Sequence, residues 1–221
     1  MENRISNSSK KDEAYEKIKE RIISGEYRPG SLLVERTISD SLGMSRTPIR
    51  AALMDLCHSG LAEFTPGKGI SVSVIGRRDI EEIYELRSLL DTAVLISFMK
   101  ISTPEQIAHL RSLANNMLDA VNMEDVDLLI KNDIDFHQYY TDYCENSRLA
   151  AIICSTVDPF CRFRYITTSS MRMNRIFVEE HLLIMDAIEA NDQAEAELQM
   201  KAHYSHLKRY QIQKLMQEGQ L

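Results

Sequence analysis

Between residues 35 and 74 the sequence changes its hydrophobic period, and this change constrains the fold more than any other feature. Residues 35–42 and about 46–58 have the apolar spacing of two short helices, with Gly43 between them. Residues 61–74 alternate apolar and polar side chains around a turn that contains Pro66-Gly67, which predicts a β-hairpin. Two helices joined by a tight turn and followed by a hairpin predict a winged helix-turn-helix.

An amphipathic helix precedes this motif. Residues 11–24 place one apolar face at Tyr15, Ile18, Ile22 and Ile23. The predicted domain therefore spans residues 11–75 and contains three helices and the hairpin. Residues 1–10 are polar, and we expect them to form a disordered tail.

The second helix of a helix-turn-helix lies in the major groove of DNA, with its N-terminal residues nearest the bases. Arg46 and Arg50 share a face of that helix, and arginine forks match guanine O6/N7 and phosphate oxygens. Ser45 is also expected to cap the helix through its hydroxyl. The predicted DNA-binding residues are Arg36, Ser45, Arg46, Thr47, Arg50, Gly67, Lys68 and Gly69.

The second part of the chain is predicted to be helical throughout. After a short linker at residues 76–78, the domain of residues 79–217 contains six candidate helices. Thr103-Pro104-Glu105 gives one of them a cap followed by proline at the first helical position. Their approximate ranges are 79–100, 103–121, 124–145, 147–166, 173–190 and 193–217. The predicted fold is mostly α.

Net charge is unevenly distributed along the chain. Residues 1–76 carry 11 Lys and Arg against 10 Asp and Glu, hence +1, and the remaining residues carry 15 against 23, hence −8. The total of −7 is therefore compatible with DNA binding, because the local placement of cations decides phosphate contact.

Targeting signals are not evident in the sequence. The polar N-terminus does not have the apolar segment of a secretory signal, and no apolar run is long enough to span a membrane. The four cysteines form no CxxC pair and are expected to be reduced thiols. We therefore expect a cytoplasmic protein without a membrane partner.

Asp133 and His137 stand four residues apart, so on a helix they could hold one metal ion. Asp135 points away from His137 and is the poorer choice. His181 and His203 on later helices could complete the set, and His206 competes with His203. Three imidazoles and a carboxylate suit zinc, nickel, iron, manganese or cobalt rather than calcium or magnesium. By spacing alone the signal is weak, because helical histidines are more often ordinary core or surface residues.

The N-terminal segments resemble a known family. Residues 12–74 are similar to the winged helix of GntR-family regulators, as seen in AYEKIKERIISGEYRPGSLL, VERTISDSLGMSRTPIRAAL and the PGKG wing. The resemblance implies that Arg36, Arg46, Arg50 and the Gly67 region contact double-stranded operator DNA. Ala51 departs from the family, which often has glutamate there.

Residues 79–210 resemble the FCD effector domain of the FadR branch through DIEEIYELRSLLDTAV, DIDFHQYYTDYCENSRL and EEHLLIMDAIEANDQAEAELQMKAHY. This resemblance implies an antiparallel all-α bundle with a divalent metal between its helices. The implied ligands are Asp133, His137, His181 and His203, and zinc is the first choice of metal. Asp91 stands where the family usually has glutamate.

The same resemblance implies a site for a small acidic effector, such as a sugar acid, an organic acid or an amino acid. Arg87 is a candidate to hold its carboxylate, although an ion pair with Asp91, four residues on, is an equal alternative. Asn146 also matches a family position. Arg162 and Arg164 are further candidates.

These patterns predict a homodimeric transcription regulator, most simply a repressor, whose operator affinity changes with the effector. Two alternatives belong to other classes of protein. A metal-dependent enzyme would need a general base aimed at a metal-bound water, and Asp135 faces the wrong way for that role. A structural adaptor would use the histidines as core residues without a metal.

Overall fold

The computed structural model describes residues 2–167, 170–219 and 221, with the side chains of 2–9, 158–159 and 161–167 left out of the description. The chain divides into two compact units, of which the first ends its main segment at Ile75 and the second begins at Gly76. The first helix begins at Glu2 and so includes most of the segment predicted as a tail, while the disorder of that segment stays a prediction. No described helix is both long enough and apolar enough to cross a membrane.

The first unit has the predicted order of elements. Its helices and strands are α1 (Glu2–Ile23), α2 (Glu35–Leu42), α3 (Arg46–His58), β1 (Ala62–Thr65) and β2 (Gly69–Val72). The predicted inner face of α3 is confirmed, because Ile49, Leu53 and Leu56 are fully buried against α1 and the hairpin. Burying each such side chain contributes about 1.5–3 kcal/mol. Because this face packs inward, the N-terminus and the opposite face of α3 are exposed to solvent.

A tight turn at Gly43 joins α2 to α3. Gly43 has a left-handed backbone (φ 64°), and its N–H donates to the carbonyl of Ser39, closing α2 as the sequence predicts. Ser45 occupies the N-cap position of α3, but its hydroxyl makes no capping hydrogen bond, so that part of the prediction is wrong. The hydroxyl of Ser39 instead donates to the carbonyl of Met44, and this hydrogen bond stabilises the turn between the two helices.

The predicted wing is an antiparallel hairpin in which Ala62 pairs with Val72 and Thr65 with Gly69. Gly67 and Gly69 at its tip have φ values of 79° and 99°, a region that side chains rarely adopt. A feature absent from the sequence prediction is a β-bridge between Leu32 and Ser71. It ties the segment before α2 to the wing, so α2 and the hairpin hold each other in place.

The second unit consists, in its described part, of the six predicted helices. They are α4 (Arg77–Ile101), α5 (Pro104–Asn122), α6 (Val126–Asp142), α7 (Ser147–Thr167), α8 (Met171–Glu189) and α9 (Gln193–Gln217). The first of them begins two residues before the predicted start, because Asp79 accepts a hydrogen bond of 2.8 Å from the N–H of Gly76. The predicted cap at Thr103 is confirmed, since its hydroxyl accepts from the N–H of Gln106 at 3.3 Å.

Helix packing leaves a polar centre inside this unit. α4 packs on α6 and α9, α5 packs on α6 and α8, and α8 packs on α9. Arg111 of α5 reaches Asp186 and Glu189 of α8, each at 2.6 Å, and fastens that pair of helices at the surface. Apolar residues such as Phe98 and Phe136 fill most of the interior, and a group of buried polar side chains occupies the rest.

Candidate functional site

The N-terminus of α3 presents the predicted DNA-reading residues to solvent. Ser45, Arg46 and Thr47 are exposed there, and Arg36 is exposed on the first turn of α2. Among the described residues, neither Arg36 nor Arg46 forms an ion pair with a side-chain carboxylate at close range. Both guanidinium groups are therefore available to phosphates or base edges.

Arg50 lies in a different electrostatic setting from Arg46. Its Nε and one terminal nitrogen each lie 2.8 Å from a carboxylate oxygen of Glu35, the first residue of α2. The hydrogen bonds from Arg50 lower the pKa of Glu35, so the carboxylate is charged at neutral pH. Contact between Arg50 and DNA would require this two-point pair to open or to be shared.

The wing tip adds one cation. Lys68 is exposed between Gly67 and Gly69, and its N–H donates to the carbonyl of Thr65 at 3.0 Å to close the turn. A Cβ atom added at either glycine would meet nothing within 4 Å. The glycines are therefore required by the backbone angles of the turn and not by lack of space. Because they have no side chains, little projects from the outer surface of the turn beside Lys68.

Three buried histidines meet in the centre of the second unit. His137 on α6, His181 on α8 and His203 on α9 each offer one ring nitrogen, and these nitrogens lie within 4.8 Å of one another. The Nε2 atoms of His137 and His181 are 3.2 Å apart. Ligand atoms about 2.0–2.2 Å from a shared ion lie roughly 3–3.5 Å from each other, so this spacing fits a metal site.

Asp133 lies beside the same cluster, one turn before His137 on α6. Its Oδ1 is 3.1 Å from Nε2 of His181 and 3.8 Å from Nε2 of His137. Its side chain is 18% exposed, whereas those of the three histidines are almost fully buried. All four predicted ligands are thus brought together, with the carboxylate on the more open side.

The far nitrogens of two histidines fix the direction of their rings. Nδ1 of His181 lies 2.7 Å from the carbonyl oxygen of Phe177, and Nδ1 of His203 lies 2.8 Å from a carboxylate oxygen of Glu180. Because a carbonyl and a carboxylate only accept, both Nδ1 atoms donate. The opposite ring edges, which carry Nε2, then face the centre of the cluster.

The surroundings of His137 keep its ring neutral, which is the form of histidine that binds a metal. Burial lowers the pKa of His137 well below its usual value, and His181, Arg87 and His203 lower it further. The Nε2 atoms of His137 and His181 and the carboxylate oxygen of Asp133 lie at short range from one another. Such a group of acceptors is stabilised by a divalent metal, and the donor set suits a transition metal.

His206, the sequence competitor of His203, lies outside the three-histidine cluster. Its side chain is 47% exposed, and its Nδ1 bonds the second carboxylate oxygen of Glu180. Burial would raise the pKa of Glu180, but the hydrogen bonds with His203 and His206 outweigh burial and lower it. The structure therefore favours His203 as the ligand, and the hydrogen bond with Glu180 fixes the orientation of its ring.

Arg87 forms the ion pair that was the alternative to effector binding. Its Nε lies 2.7 Å from Oδ2 of Asp91, and both residues are almost fully buried. The hydroxyls of Tyr140 and Tyr204 donate to the two oxygens of Asp91. Burial opposes the charge on Arg87, but Asp91 and the two tyrosines outweigh burial and raise the pKa of the guanidinium.

The remaining effector candidates are placed as follows. Asn146 is exposed, and its side-chain oxygen accepts from the N–H groups of Arg148 and Leu149 at 3.2 Å each, which caps the start of α7. The side chains of Arg162 and Arg164 lie outside the described residues. A contact of any of these with an effector stays a prediction.

Two residues beside the cluster were missed in the sequence. Tyr140 follows His137 by three residues, a spacing that puts both on one face of a helix and could have indicated a contact. Glu180 directly precedes His181, so the sequence pattern points it away from that histidine. Its contact with His203 depends on the packing of α8 against α9 and has no local signal.

Comparison with known proteins supports both units. Residues 10–72 match the family model of the bacterial regulatory proteins of the gntR family, and residues 82–206 match that of the FCD domain. The second match alone covers more than half of the chain.

Curated relatives extend over most of the chain. The HTH-type transcriptional regulator YdhC of Bacillus subtilis (strain 168) is 24% identical over 194 residues, which cover 87% of this chain and 86% of the relative. The gluconate operon transcriptional repressor of the same organism is 27% identical over 187 residues, covering 82% and 76%. These relatives are transcriptional regulators rather than enzymes.

A solved structure confirms the fold. McbR/YncC of E. coli superimposes with a TM-score of 0.75 at 21% identity, covering 95% of this chain and 98% of the other. The helix-turn-helix with its wing, the six-helix second unit and the two family matches agree. The chain belongs to the GntR family of DNA-binding transcriptional regulators and carries an FCD effector domain.

Proposed function

We propose that this regulator is a homodimeric repressor whose affinity for its operator is modulated by a small carboxylate bound beside a divalent metal. The observation that carries the proposal is the buried group of three imidazoles with their Nε2 atoms turned inward next to Asp133. The relative named as the gluconate operon repressor supports repression as the mode.

The metal, most simply zinc, would be held by Asp133, His137, His181 and His203. When bound, it supplies a positive charge to which the carboxylate of an effector can bind. The chain's own residues do the rest: Phe177 and Glu180 orient two of the imidazoles, and the buried surroundings strengthen the charge interactions.

The DNA-binding mode follows from the exposed surface of the first unit. Arg46, Ser45 and Thr47 at the start of α3 would lie in the major groove, and Arg36 would contact the backbone. Lys68 on the wing would add a phosphate or groove contact. In a dimer, two such helices would meet major-groove half-sites about 34–36 Å apart.

The effector would take its specificity from polar groups around the metal. Arg87, Asn146, Arg162 and Arg164 remain the candidates for this contact. Arg87 pairs with Asp91 and also donates to the hydroxyl of Thr156 at 3.4 Å, so an effector contact would have to share these groups.

Zinc should raise the unfolding temperature of the chelator-treated protein. A ligand present at 100 times its dissociation constant stabilises the native state by about 2.7 kcal/mol, which corresponds to roughly 5–10 °C for a chain of this size. A fluorescence thermal-shift screen of small carboxylic acids, run with zinc and with chelator, should find acids that add stability only with zinc.

Two histidine variants give this assay its matched comparison, because both side chains bond Glu180. His203→Gln should lose most of the zinc-dependent shift, whereas His206→Gln should keep it. Equal losses in the two variants, or a wild-type protein purified without a tag and indifferent to zinc and chelator, would contradict the proposed metal site.

A further inference from the structure

The hydroxyl of Tyr140 lies between a cluster histidine and a buried carboxylate. It is 2.6 Å from Nδ1 of His137 and 3.3 Å from Oδ1 of Asp91. Tyr140 is fully buried on α6, and Asp91 is fully buried on α4. His137 therefore differs from His181 and His203, whose Nδ1 atoms contact groups that can only accept a hydrogen bond.

The direction of these two hydrogen bonds depends on one proton. A tyrosine hydroxyl has a single proton and can donate it either to the carboxylate or to the imidazole. Nε of Arg87 lies 2.7 Å from Oδ2 of the same Asp91, so the carboxylate is part of a buried ion pair. A carboxylate only accepts, so both contacts can be hydrogen bonds only if Tyr140 donates to Asp91 and accepts from His137.

His137 must then donate from Nδ1 to the oxygen of Tyr140. In that tautomer its Nε2 has no proton and directs its lone pair towards His181 and Asp133. The other arrangement has Tyr140 donating to Nδ1 and Nε2 of His137 donating to Nε2 of His181 across 3.2 Å. That arrangement would oblige an incoming metal to displace a proton first.

We infer that Tyr140 and Asp91 are positioning residues that hold His137 in the Nδ1–H tautomer and so prepare its Nε2 to bind a divalent transition metal. The inference rests on the proposed metal site. It also gives the ion pair of Arg87 and Asp91 a role, since Arg87 contacts the carboxylate that accepts from Tyr140. Loss of such a partner of a ligating histidine lowers metal affinity by about 10–100-fold.

Tyr140→Phe and Tyr204→Phe form a matched pair for the test. Each removes a buried hydroxyl that donates to one oxygen of Asp91, but the former also removes the partner of His137. In competition titrations against a zinc-binding dye, Tyr140→Phe should bind zinc about 10–100-fold more weakly than the wild type. Tyr204→Phe should stay within roughly threefold, although it also loses a hydrogen bond to Asp91. Equal affinities in the two variants would overturn the inference.

The tautomer can be measured without metal and without a variant. Long-range proton–nitrogen spectra of the chelator-treated wild-type protein, with the His137 signals assigned, should show the proton on Nδ1. A proton on Nε2 would overturn the inference even if zinc binds. If the protein binds no zinc but His137 carries its proton on Nδ1, the proposed function fails. The positioning of His137 by Tyr140 and Asp91 is then supported on its own.

Discussion

Replacing Asp91 by alanine should destabilise the second unit by about 3–5 kcal/mol, the typical result of removing one partner of a buried ion pair. Arg87 would be left with its charge in the interior, where the residue is only 2% exposed. Tyr140 and Tyr204 would lose their common acceptor in the same step. Urea unfolding followed by circular dichroism measures this loss.

A double variant separates two contributions to the lost free energy of unfolding, the unpaired charge and the lost packing. Arg87→Met with Asp91→Leu replaces the pair by apolar side chains of similar size. It should recover the part of the loss that comes from the unpaired charge, while Tyr140 and Tyr204 stay without their acceptor. A loss below about 1 kcal/mol in Asp91→Ala would fall within the range of exposed pairs and contradict a buried network.

Replacing Arg46 by alanine should weaken operator binding by about 1–3 kcal/mol, or roughly 5–150-fold, and relax the choice of base at one position of each half-site. Arg46 is exposed at the start of α3, where a recognition helix meets base edges. Fluorescence anisotropy with an operator selected from random-sequence DNA measures affinity and base preference together.

Arg50 supplies the comparison on the same helix face. Its two-point pair with Glu35 must be given up or shared before it contacts DNA, so Arg50→Ala should reduce affinity less than Arg46→Ala does. Glu35→Gln weakens that pair and should make the later loss of Arg50 more costly. A larger effect from Arg50→Ala than from Arg46→Ala would contradict the assigned roles.

Much of the fold follows from local signals. Gly43, Thr103 and the glycines of the wing each require a particular backbone or cap, and the structure has a helix end, a helix start and a turn at these places. Local chemistry of this kind acts within a few residues, so it can be read along the chain.

The candidate site depends on contacts between residues that are far apart in the sequence, and no local sequence pattern indicates such contacts. Spacing suggested the pair of Asp133 with His137, but His181 and His203 were assigned only through family resemblance. Glu35 and Arg50 are 15 residues apart, and Glu180 meets His203 across two helices. Side-chain pairing over such separations is set by helix packing, and the sequence does not display it.

In the proposed regulator, the binding of the acid, of the metal and of the DNA is thermodynamically coupled. The most direct measurement is operator affinity by anisotropy, with zinc and after chelation, each with and without an acid selected by the thermal-shift screen. We expect the acid to weaken operator binding by about 5–150-fold with zinc present, the usual range of coupling between sites, and to have little effect after chelation. The same weakening in chelated protein, or operator affinity that no stabilising acid changes, would contradict the claim.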